Sequence, residues 1–60
     1  MGRYTVSTEE RMLDVVERLM VQRGVMIVSR DEMFGTLTIE TNDPLMVSQI
    51  EGVLHIRVAP

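Results

Sequence analysis

The chain is 60 residues long and 45% apolar, with nine acidic side chains against six basic ones, all arginine, for a net charge of −3. A chain of this size is read as one domain, 1–60, which buries only about 60% of its unfolded surface and has no room for a cleft between domains. The acidic balance speaks against nucleic acid, the lack of Cys against disulfides and thiolate sites, and a lone His without an acidic cluster against a bound metal, so neither cofactor nor metal is expected.

Residues 3–6 alternate polar and apolar and are read as a first strand, with Tyr4 and Val6 inward and Arg3 and Thr5 outward. Ser7-Thr8-Glu9-Glu10 has the S-x-x-E spacing of a capping box, in which the Ser7 hydroxyl and the Glu10 carboxylate satisfy amides at a helix start. Met12, Val15, Val16, Leu19 and Met20 then fall on one stripe of an amphipathic helix, with Leu13 at its margin. Asp14 and Arg18 are spaced for an ion pair along that helix, and Gly24 is placed to end it.

Residues 25–30 are rich in β-formers and too short for a second helix. Strict alternation puts Val25, Ile27 and Ser29 on one side and Met26, Val28 and Arg30 on the other. A turn over residues 31–35 leads into a strand over 36–41, with Leu37 and Ile39 inward and Thr36, Thr38 and Glu40 outward, so the two strands form a hairpin. Asn42-Asp43-Pro44 combines an N-cap acid with Pro at the first helical position and predicts a short helix over 45–51, closed by Gly52. The last strand covers 53–58, with Leu54, Ile56 and Val58 alternating against Val53, His55 and Arg57.

The order β-α-β-β-α-β folds most simply as a ferredoxin-like α+β domain, a four-stranded antiparallel sheet with two helices on one face. The opposite face then carries Arg3, Thr5, Met26, Val28, Arg30, Thr36, Thr38, Glu40, His55 and Arg57. Such a face is either a solvated sheet or a docking surface.

His55 is the natural candidate for acid–base work, but no nucleophile or orienting acid is identifiable beside it. Adjacent acids such as Asp31 and Glu32 point apart and sit in a turn. Met12 and Met20 read as core filler, whereas Met26 falls on the open face. The only aromatic residues are Tyr4, predicted inward, and Phe34 in a turn, which leaves no stacking platform for nucleic acid. No apolar run reaches a membrane span of roughly 18 to 20 residues, and Met1-Gly2-Arg3-Tyr4 has no apolar signal region. The expectation is a cytoplasmic protein that binds a partner without turnover of its own, with secretion by another route left open.

Tyr4-Thr5-Val6, Phe34-Gly35-Thr36-Leu37-Thr38-Ile39, the very short second helix and the close Ile50-Glu51-Gly52-Val53-Leu54-His55-Ile56 together resemble the subtilisin-propeptide type of protease inhibitor. Members of that family rest the open sheet face on two helices of the protease and insert the C-terminal tail into the substrate cleft. The resemblance implies that Arg3, Thr5, His55 and Arg57 belong to a docking face, with Met26 and Val28 beside them, and that Val58, Ala59 and Pro60 form the inserted tail. The same closing phrase, extended to Arg57, is also similar to ACT-type regulatory domains, whose strands pair between subunits and bind a small effector. That resemblance implies a homodimer.

Overall fold

The computed structural model describes residues 2–9 and 11–60. It runs β1 (Gly2–Thr8), α1 (Met12–Met20), β2 (Val25–Asp31), β3 (Thr36–Thr41), α2 (Pro44–Ser48) and β4 (Val53–Val58). The strands form one antiparallel sheet in the order β2-β3-β1-β4, and with this element order the arrangement is ferredoxin-like α+β, as the sequence predicts.

The two central strands show why the chain folds this way. Val6 of β1 and Leu37 and Ile39 of β3 meet Val15 and Leu19 of α1 and Val47 of α2 in a core from which water is excluded. Each such side chain contributes about 1.5–3 kcal/mol by burial. The two buried threonines are paired: the Thr8 hydroxyl donates to Gly35 O at 3.1 Å, and Thr41 Oγ1 accepts from Asp43 N–H at 3.0 Å. Among the described residues no buried side-chain polar atom lacks a partner.

Several local expectations change. Ser7 belongs to β1, which runs two residues beyond Val6, and α1 starts at Met12 with Arg11 before it and no side-chain cap. Glu10, the other half of the capping box, lies outside the described residues. The helix ends at Met20, so Gly24, with φ +79°, serves the turn into β2 instead. Asp14 and Arg18 do not pair; the Arg18 guanidinium donates to Glu51 O at 3.0 Å and ties α1 to the loop before β4. Met20 is 70% exposed and is not core filler. It lies on the α1 flank beside β2, where it lines a groove with Val16, Val25, Met26 and Ile27.

The start of α2 is as predicted, with Pro44 at its first position and Asp43 Oδ1 accepting from Met46 N–H at 3.1 Å. The helix is shorter than expected and stops at Ser48.

Two β-bulges break the strict alternation. On β2 the register steps from Ile27 opposite Ile39 to Ser29 opposite Thr38, so Val28 is the extra residue. Ser29 and Asp31 therefore join the open face, and Arg30, opposite Leu37, turns toward the helix side. On β4 the step lies between His55, opposite Ser7, and Val53, opposite Thr8. Leu54 is the extra residue, 59% exposed instead of inward, and half-buried Val53 packs on the core in its place.

Candidate functional site

Directly paired residues of an antiparallel ladder project to the same face, so the register defines the surface away from the helices. It consists of three rows across the strands. Met26, Glu40 and Arg3 form the first; Ser29, Thr38, Thr5 and Arg57 the second; Asp31, Thr36, Ser7 and His55 the third. In the second and third rows short hydroxyl side chains occupy β3 and β1, with Arg57 and His55 beside them on the edge strand β4.

Arg3 is fixed within the first row. Its Nη2 and Nε donate to Glu40 Oε2 at 2.8 and 3.3 Å. In the third row Ser7 Oγ lies 3.4 Å from His55 Nε2. A Ser–His pair needs a group to orient the imidazole and donors aimed at an oxyanion before it can attack a carbonyl. Asp31 shares the row but stands three strand spacings from His55, roughly 14 Å at about 4.8 Å per spacing. His55 has no second hydrogen-bond partner among the described residues. The pair is thus a polar contact on an open surface, without the rest of a hydrolytic site.

Of the residues singled out from sequence, Arg3, Thr5, Met26, His55 and Arg57 share the open face. Val28 sits in the bulge at the β2 edge, and Val58, opposite Tyr4, belongs to the helix side at the end of β4, where it is 75% exposed. Ala59 N–H donates to Arg3 O at 3.0 Å, so the pairing with β1 continues one residue past β4. Sequence reasoning missed Ser7, Ser29 and Asp31. The signal for Ser7 was available, since the alternation of Arg3 and Thr5 outward simply continues, but the capping-box spacing drew Ser7 to the helix.

A second hollow lies on the helix side at the start of α1, among Glu9, Arg11, Asp14, Arg18 and Glu51, and its charges are of both signs. Among the described residues no group of three His, Asp or Glu side chains is placed to hold a metal ion, and no helix is long and apolar enough to cross a membrane.

No family model matches the chain, and neither the curated proteins nor the solved structures contain a match to it.

Proposed function

We propose that the chain is a small protein-binding module, without turnover of its own, that docks a protein partner through the open face of its sheet. The supporting observation is that face itself: four strands wide, free of helices, with hydroxyls at its centre and Met26, Arg3, Arg57 and His55 around them. Met and Arg are the side chains that protein interfaces favour, and short central hydroxyls let a partner helix approach the sheet closely. The more specific form of the proposal is a subtilisin-propeptide-like inhibitor or chaperone of a serine protease. The fold and the open face suit that role. Insertion of residues 58–60 into a cleft would require release of the bond from Ala59 to Arg3 O. Inhibition of a subtilisin by the intact chain, weakened when residues 58–60 are removed, supports this form; absence of slow or tight inhibition by the intact chain rejects it.

A second reading, an ACT-like dimerising regulatory module that binds a small effector, draws on the β2 edge of the sheet. β2 is an edge strand, and the groove between it and α1 is lined by Val16, Met20, Val25, Met26 and Ile27. An antiparallel second copy at this edge sets Arg23, before one β2, near Asp31 and Glu32 at the end of the other, so the edge is complementary to itself in charge. Sedimentation decides: a dimer at micromolar concentration that Met20→Glu dissociates supports the reading, and a monomer at that concentration rejects it.

A further inference from the structure

The open face holds a patch around Arg57, between β1 and β4, that no carboxylate among the described residues neutralises. Thr5 is paired with Arg57 and Ser7 with His55, so four side chains stand at the corners of a patch about 5 Å across and about 7 Å along the strands. Arg3, the neighbour of Thr5 along β1, already has Glu40 as its partner at 2.8 Å. The other ion pair among the described residues joins Arg30 to Glu32, which leaves Arg57 without one. Asp31 is roughly 14 Å away across the row, beyond the screening length of about 8 Å at physiological salt. Glu9 lines the hollow on the helix side with Arg11 and Arg18.

We propose that Thr5, Ser7, His55 and Arg57 form a binding site for a tetrahedral oxyanion, a phosphoryl or sulfate group. The guanidinium supplies a planar fork of donors and the Thr5 hydroxyl one more; the Ser7–His55 contact uses one of that pair's two donors and leaves the other for the oxyanion, so the set comes from two adjacent rows. A tetrahedral group presents at least three oxygens to such a set, whereas a carboxylate has two and leaves donors unused. The Ser7 contact at 3.4 Å keeps the His55 ring over the patch. The inference deepens the docking reading and rests on it where the oxyanion is the phosphorylated side chain of a docked protein; a free inorganic oxyanion uses the same donors without a partner.

The test is titration of the full isotope-labelled chain with sodium sulfate and with inorganic phosphate, against sodium chloride at equal ionic strength, read by amide chemical shifts. The expected result is saturation in the millimolar range confined to Thr5, Ser7, His55 and Arg57, weakened about tenfold by Arg57→Gln and a few-fold by Ser7→Ala. The amide spectra of both variants verify that the fold is kept. A phosphoserine peptide that binds more tightly than inorganic phosphate supports the site with a side chain as the source of the oxyanion, and one that binds no more tightly supports it with the free ion as the source. Linear shifts spread over all the arginines, or an Arg57→Gln curve equal to that of the parent chain, overturn the site. Failure of the site leaves protease inhibition unchanged, while failure of the docking reading removes inhibition and leaves the saturable shifts.

Discussion

Arg3 on β1 and Glu40 on β3 face each other directly across the ladder and are joined by two hydrogen bonds to one carboxylate oxygen, at 2.8 and 3.3 Å. Both side chains remain in contact with water, at 55% and 28% exposure, so the pair is screened and its contribution is about 0.2–1 kcal/mol. A double-mutant cycle with Arg3→Ala and Glu40→Ala, read by urea unfolding, is expected to give a coupling in that range that shrinks as salt is added.

Gly52 and Gly24 both have positive φ, +94° and +79°, but only Gly52 is pressed against a neighbour. A Cβ on Gly52 would stand 2.5 Å from Val15 Cγ2 and 3.2 Å from Arg18 Nη1, whereas nothing lies within 4 Å of one on Gly24. Gly24→Ala is therefore expected to cost about 1 kcal/mol from backbone strain alone. Gly52→Ala adds a clash with the core and costs more. Thermal unfolding of the two variants should place Gly52→Ala lower, by about 4–8 °C for each further kcal/mol.

Leu19 and Met20 are neighbours on α1 with opposite environments, fully buried and 70% exposed. Leu19→Ala is expected to cost about 2–5 kcal/mol, enough to threaten folding of so small a chain, while Met20→Ala stays within about 0.5 kcal/mol. Chemical denaturation at a fixed, low protein concentration separates them. The stripe read from sequence did not, because 3.6-residue periodicity gives the direction of a side chain but not where the packed surface beneath it ends.

Element order, hairpin and the start of α2 were legible because local chemistry settles them. Asp43 before Pro44 can do little but open a helix, and the alternation of Leu37 and Ile39 with Thr36, Thr38 and Glu40 holds without a break through β3. The errors of strand facing fall where a single residue is inserted in a ladder. Val28 and Leu54 are apolar and sit in β-rich runs, so nothing in their type marks them as extra; the bulge exists only in relation to Thr38 and Ile39 across β2–β3, and to Ser7 and Thr8 across β1–β4. On β2 one such residue moved Ser29 and Asp31 onto the open face and Arg30 off it. On β4 His55 and Arg57 kept their predicted face because the bulge lies before them, which is why this part of the candidate site was readable from sequence.

Docking through the open face makes a prediction about which substitutions matter. Thr38→Arg stands in the middle of the second row, between Ser29 and Thr5, and places a long charged side chain where a partner would approach. It is expected to leave the unfolding midpoint close to that of the parent chain, as surface changes usually do, and to reduce binding of a protease partner at least tenfold. Leu13→Arg, on the exposed flank of α1, is expected to leave binding unchanged.

The most direct test of the central claim is amide chemical-shift mapping of the labelled chain on addition of an inactivated subtilisin-type protease. Saturable broadening or shifts are expected at Arg3, Thr5, Ser7, Thr36, Thr38, His55 and Arg57, with the exposed residues of α1 and α2 unaffected. Perturbation centred on the helices, or a spectrum that does not change at equimolar protease, would contradict that claim.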